Sequence, residues 1–117
     1  MKAVLREIEP AVPGDFLSEG DMARESSLLV RLVIGPEGAQ GADNFDLMVS
    51  TPGGVAQSLA GDAYRWGRHM LIVDRIDLDL VSRAVETALR RCEGNTWEEV
   101  AVKIGRFAAW EFEDYQA

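Results

Sequence analysis

The fold is decided by residues 27–35, which read SLLVRLVIG. Successive side chains of an extended chain point to opposite faces, and one face of this stretch is entirely apolar: Leu28, Val30, Leu32 and Ile34. The opposite face is mixed, because Arg31 stands between Leu29 and Val33. This alternation predicts a β-strand, and it is the strongest strand pattern in the chain.

Two further strands are predicted on either side of it. Residues 35–41, GPEGAQG, are rich in turn formers and predict a hairpin loop. Residues 44–51 then alternate again, with Phe45, Leu47 and Val49 on one face, until Pro52 ends the pattern. Residues 2–9 alternate in the same way, as a half-buried strand does. The polar, acidic connection at 14–26 is long enough to be a functional loop.

The rest of the chain predicts one short strand and three helices. Residues 70–73, MLIV, suit a strand covered on both faces, and residues 55–59 suit a short helix before it. A helix capped by Asp77 or Asp79 follows, with apolar residues at helical spacing: Leu78, Val81, Val85, Ala88, Leu89 and Cys92.

The final helix starts at Trp97, after a capping box in which the Thr96 hydroxyl accepts from a backbone N–H and the Glu99 carboxylate reaches back to the Thr96 N–H. We expect it to bury Val100, Ala101, Ile104, Phe107, Ala108 and, near its end, Trp110. The order of elements predicts a single α+β domain over residues 1–117, with an antiparallel sheet of about four strands and two C-terminal helices packed on one face.

Composition limits the classes of function. The chain has 117 residues, a formal net charge of −8 and a sequence pI near 4.6, which oppose direct binding to nucleic acid and favour a basic partner. No apolar run approaches the roughly 20 residues of a membrane-spanning helix, and residues 1–9 lack the apolar region of a signal peptide. The single Cys92 fits a reducing compartment, so we expect a cytoplasmic protein without membrane contact.

Catalytic, cofactor and metal sites are not predicted. His69 is the one histidine of the chain and Cys92 the one cysteine, and they are far apart in sequence. A zinc site normally needs three or four protein ligands. The glycines of residues 35–41 lack the Lys and Ser/Thr of a phosphate-binding loop. The acids Glu111, Glu113 and Asp114 are expected near a helix C-terminus, where negative charge is unfavourable. They therefore predict either an internal salt bridge to Arg65, Arg68 or Arg75 or a contact with a partner.

Five segments, taken in order and spacing, resemble a known family: MKA at 1–3, FDLMVSTP at 45–52, GRHMLIV at 67–73, GNTW at 94–97 and WEFEDY at 110–115. The chain resembles the immunity protein 8 family of bacterial polymorphic toxin systems. It departs from the family pattern at Gly53, where a bulkier residue is expected after Pro52. The resemblance implies a non-enzymatic protein that binds and neutralises a cognate toxin domain by covering its active site or substrate surface.

Charge complementarity then suggests a basic, nuclease-like toxin domain as the partner, and no cofactor. The candidate toxin-binding residues are Asp15, Phe16, Glu19, Asp21, Asp43, Asp46, Glu111, Glu113, Asp114 and Tyr115. Three alternatives stay open: a small carboxylate-dependent enzyme, a ligand-binding domain, and a structural module that self-associates through the sheet face of Leu29, Arg31, Val33 and Met48. The sequence leaves the oligomeric state open.

Overall fold

The computed structural model describes residues 1–12 and 26–113. Within these ranges five strands form one sheet: β1 (Ala3–Pro10), β2 (Ser27–Pro36), β3 (Asp43–Ser50), β4 (Met70–Ile72) and β5 (Ala109–Trp110). The same residues form three helices, α1 (Pro52–Ser58), α2 (Leu78–Leu89) and α3 (Trp97–Ile104). The predicted α+β class is confirmed.

The sheet has the order β1-β2-β3-β4, and β5 lies beside β3 as well. β1 and β2, and β2 and β3, are antiparallel, as predicted. β5, which was not predicted as a strand, is antiparallel to β3, whereas β4 runs parallel to β3. The sheet is therefore mixed. Residues 51–69 explain the difference, because a parallel neighbour needs a long crossover connection, and this segment, which includes α1, provides one.

The core lies between one sheet face and helices α2 and α3, which confirms that both C-terminal helices pack on one face. The β2/β3 register pairs Leu28 with Val49 and Leu32 with Phe45, so the apolar faces of the two strands coincide. Both helices cover this face with buried side chains: Val81, Val85 and Leu89 from α2, and Val100, Ala101 and Ile104 from α3. Cys92 is buried with them, and this burial raises the pKa of its thiol.

The last helix is shorter than predicted. It ends at Ile104, with Gly105 as its C-cap, and Phe107 and Ala108 follow in a turn whose amides donate to the Ile104 carbonyl. Trp110 belongs to β5, which pairs with β3 at Phe45 and Asp46, while β4 occupies the other end of that strand edge. Glu111 and Glu113 are therefore not at a helix C-terminus, and the unfavourable dipole interaction expected for them does not arise.

Side-chain caps define the starts of all three helices. The Thr96 hydroxyl accepts from the Glu99 amide at 3.2 Å, as predicted, but the Glu99 carboxylate accepts from the Asn95 amide at 2.7 Å, one residue earlier than expected. Asp77, of the two predicted candidates, caps α2. Thr51 caps α1, which begins at Pro52 because proline suits the first turn of a helix. No helix among the described residues is long and apolar enough to cross a membrane.

At Gly54, α1 lies tightly against Ser26, the residue that precedes β2. A Cβ atom at this position would lie 2.1 Å from the Ser26 carbonyl oxygen. Ser26 cannot move away easily, because its carbonyl accepts from the Thr51 amide at 2.9 Å and its amide donates to the Thr51 hydroxyl at 3.0 Å. The junction between α1 and the sheet therefore requires glycine here.

We expect Gly54→Ala to lower the free energy of unfolding by about 1–3 kcal/mol, because the clash with backbone outweighs the better helix propensity of alanine. Gly67→Ala is the matched control, since a Cβ atom at Gly67 meets nothing within 4 Å. Urea denaturation of both variants measures the difference. A stable Gly54→Ala protein would show that α1 can shift away from Ser26 at little cost.

Candidate functional site

Four of the predicted site residues meet along one edge of the sheet. Asp43 and Asp46 lie on β3, and Glu111 and Glu113 follow β5, which pairs with β3 through Asp46 and Ala109. We call these four carboxylates the acidic edge. The remaining candidates lie outside the described residues: Asp15, Phe16, Glu19, Asp21, Asp114 and Tyr115.

Asp43 is the structural anchor of this edge. Its Oδ2 atom accepts two hydrogen bonds, from the indole Nε1 of Trp97 at 2.8 Å and from the indole Nε1 of Trp110 at 2.9 Å. The carboxylate is half-buried, as are both rings, so a single oxygen satisfies two donors that are partly removed from water. Asp43 thus joins the start of β3 to the start of α3 and to β5.

Glu111 extends the short β5 ladder. Its amide donates to the Asn44 carbonyl at 3.1 Å, and its Oε1 atom accepts from the Asn44 amide at 2.9 Å. The side chain therefore completes a pair of hydrogen bonds between the two strands. It is still exposed, and its second oxygen accepts no hydrogen bond from a described residue.

The other two carboxylates of the edge form ion pairs. Glu113 Oε1 lies 2.5 Å from Arg68 Nη2, which identifies one of the three predicted internal partners. Asp46 Oδ1 lies 3.4 Å from Arg31 Nε across the β2/β3 pair, with both side chains more than a third exposed. The acidic edge is thus less negative than its four carboxylates alone suggest.

The segment between α1 and β4, residues 59–69, carries two exposed aromatic side chains that the sequence analysis did not identify as candidate site residues. Tyr64 is 75% exposed and Trp66 is 85% exposed, although both are large aromatic residues. The available signal was the stretch YRW at 64–66, which has two aromatic residues outside any helical or strand period. Such a pattern indicates side chains that the chain's own core does not use.

His69 holds this segment against the helical layer. Its Nε2 atom lies 2.7 Å from the Gly105 carbonyl oxygen, which can only accept, so Nε2 carries the proton. The His69 carbonyl accepts from the Met48 amide at 3.0 Å, and the residue has φ +55°. His69 is therefore tied to the C-cap of α3 and to β3.

The cavities among the described residues are open grooves, and their linings differ in polarity. One of about 490 Å³ lies between β1 and α2 and carries Lys2 and Arg90 as well as Glu86 and Glu93. A smaller one of about 110 Å³ is almost wholly apolar and is lined by Leu47, Leu71, Val85 and Phe107, among others. Residues 1–12 and 26–113 contain no group of three or more His, Cys, Asp or Glu side chains placed to hold a metal ion.

Together, the fold and this edge describe a small α+β protein with a carboxylate-bearing surface beside exposed aromatic residues. Residues 14–115 match the family model described as immunity protein 8. No curated protein and no solved structure matches the chain. The family match spans most of the sequence, and the chain belongs to the immunity protein 8 family, which consists of immunity proteins of toxin systems.

We expect Asp43→Ala to lower the free energy of unfolding by about 2–4 kcal/mol, because it leaves two half-buried indole N–H groups without their acceptor. Asp46→Ala is the matched control, and its exposed ion pair should contribute less than about 1 kcal/mol. Denaturant melts compare the two. Equal losses would show that the indole pair adds nothing beyond an ordinary surface carboxylate.

Proposed function

We propose that this protein binds the cognate toxin domain of a bacterial polymorphic toxin system and neutralises it by covering its active site or substrate surface. The observation that carries the proposal is the family match over residues 14–115. The protein acts by stoichiometric binding, without turnover, cofactor or metal. Its place of action is the cytoplasm of the cell that it protects.

Charge supports a basic, nuclease-like toxin as the partner. The formal net charge of −8 attracts a positively charged domain over long range and speeds their encounter. Enzymes that act on nucleic acid bind phosphates with clustered Lys and Arg. Carboxylates of an inhibitor can occupy those phosphate positions, which blocks the substrate.

Within this proposal, Asp46, Glu111 and Glu113 of the acidic edge contact the toxin. Glu111 is the best placed, because it is exposed and one of its oxygens accepts no hydrogen bond from a described residue. Asp43 holds the edge in place by accepting hydrogen bonds from the indoles of Trp97 and Trp110. The proposed contact set also includes the candidates outside the described residues: Asp15, Phe16, Glu19, Asp21, Asp114 and Tyr115.

Reversing charge on the acidic edge should slow association with the toxin domain. We expect Glu111→Lys combined with Glu113→Lys to lower the association rate constant about tenfold at low salt, and the effect should shrink as salt screens the attraction. The matched control combines Glu37→Lys with Glu86→Lys. Both control residues line the groove beside β1, at the other side of the sheet, and the pair changes the net charge by the same amount.

Stopped-flow binding between low and high ionic strength measures both pairs, with thermal melts to check that each variant folds. A triple reversal of Asp15, Glu19 and Asp21 shows whether the 14–26 segment contributes separately. Equal slowing by the edge pair and the control pair would assign the effect to net charge alone. An association rate indifferent to salt and to every reversal would contradict electrostatic steering.

A further inference from the structure

Three exposed aromatic side chains are close in sequence to the two residues of the Arg68–Glu113 ion pair. Tyr64 and Trp66 precede Arg68 by four and two residues, and Phe112 directly precedes Glu113. Their exposed fractions are 75% for Tyr64, 85% for Trp66 and 43% for Phe112. We call Tyr64, Trp66 and Phe112 the aromatic patch. Exposed apolar side chains that gather on one surface mark an interaction site, whereas single ones do not.

The three tryptophans of the chain differ sharply in environment. Trp97 and Trp110 are half-buried, and both donate to Asp43. Trp66 is largely in solvent, and its indole makes no hydrogen bond to any residue that the structure describes. The fold therefore does not explain a tryptophan at position 66. Tryptophan, tyrosine and arginine are the residues most enriched in the hot spots of protein interfaces, and Arg65 stands between Tyr64 and Trp66.

The segment that carries Tyr64 and Trp66 is held at both ends. At its start the Asp62 amide donates to the Leu59 carbonyl at 2.7 Å. At its end Arg68 pairs with Glu113, and His69 bonds to Gly105 and Met48. Because these contacts already fix the backbone on either side, binding through Tyr64 and Trp66 requires less loss of conformational entropy than binding through an untethered loop.

The patch adjoins the acidic edge through Phe112 and through the Arg68–Glu113 ion pair. Phe112 lies between Glu111 and Glu113, and its ring meets that of Trp110 edge-to-face, with centroids 5.9 Å apart. Glu113 and Arg68 connect this part of the chain to the 61–69 segment. Aromatic anchors beside a charged, solvent-exposed rim are the usual anatomy of a protein–protein interface. Two carboxylates of this rim are paired with Arg31 and Arg68, so the preference for a basic partner rests on Glu111 and on the net charge of −8.

We propose that the aromatic patch is the energetic centre of the toxin interface, with Trp66 as its main anchor and the acidic edge as its rim. The occupant is a basic toxin domain that offers an apolar recess for the Trp66 ring. This inference rests on the proposed function and adds to it the position of the strongest contact.

The test compares Trp66→Ala and Tyr64→Ala with Val102→Ala as the control. Val102 is an exposed apolar residue, 57% accessible, on α3. We expect the toxin to be the C-terminal domain of the protein that the adjacent upstream gene encodes, and the probe is that domain with its activity abolished by mutation. We expect Trp66→Ala to raise the Kd at least about 30-fold, mainly through faster dissociation, whereas Val102→Ala changes it less than about twofold. All three variants should melt as the unmodified protein does, since their side chains are exposed.

The outcomes separate this inference from the function on which it rests. If the unmodified protein neither binds the domain nor protects cells that express the active toxin, the proposed function fails. If it binds but Trp66→Ala changes the Kd less than about threefold, only the position of the anchor is wrong. If the unmodified protein is a dimer that Trp66→Ala dissociates, the patch is an interface between copies of this chain, and the inference is overturned.

Discussion

A single carboxylate oxygen at the start of β3 connects three parts of the chain that are far apart in sequence. Asp43 accepts from Trp97, at the start of α3, and from Trp110, in β5. β5 has only two residues and so makes few ladder hydrogen bonds of its own. The hydrogen bond from Trp110 to Asp43 adds a further contact that keeps β5 on the edge of β3.

The surface proposed for toxin binding depends on this hydrogen bond between Trp110 and Asp43. Because β5 stays beside β3, Glu111 reaches Asn44, and the chain then continues to Phe112 and Glu113. Glu113 meets Arg68 across 45 positions of sequence, which ties the segment that carries Tyr64 and Trp66 to the acidic edge. A residue that sequence reasoning proposed as a toxin contact thus has a well-defined structural role in positioning the others.

Periodic and local features of the fold were predictable from sequence. The alternation in β2 and β3 is long and apolar on one face, and the Thr96 cap is a short-range contact, so both were identified correctly. β5 was missed because two residues cannot establish a period, and Phe107, Ala108 and Trp110 continue the helical spacing of α3. The parallel direction of β4 depends on the path of residues 51–69, which no local pattern encodes.

The candidate site was less predictable, since its contacts are long-range. Asp43 was identified only as an acidic residue and a candidate toxin contact. The sequence does not show that its Oδ2 atom accepts from the indoles of two tryptophans 54 and 67 positions away. The salt bridge of Glu113 could be narrowed to three arginines but not to Arg68 alone. Trp66 was overlooked because the sequence does not show which of three tryptophans the core leaves exposed.

We propose that this member of the immunity protein 8 family binds its toxin through the surface that Asp43 holds in place. Amide hydrogen exchange of the full chain, measured with and without the toxin domain, tests it directly. The account predicts slower exchange in residues 61–69 and 111–113 of the complex, with little change in β1 and α2. Unchanged exchange in both segments, together with new protection in β1 or α2, would contradict it.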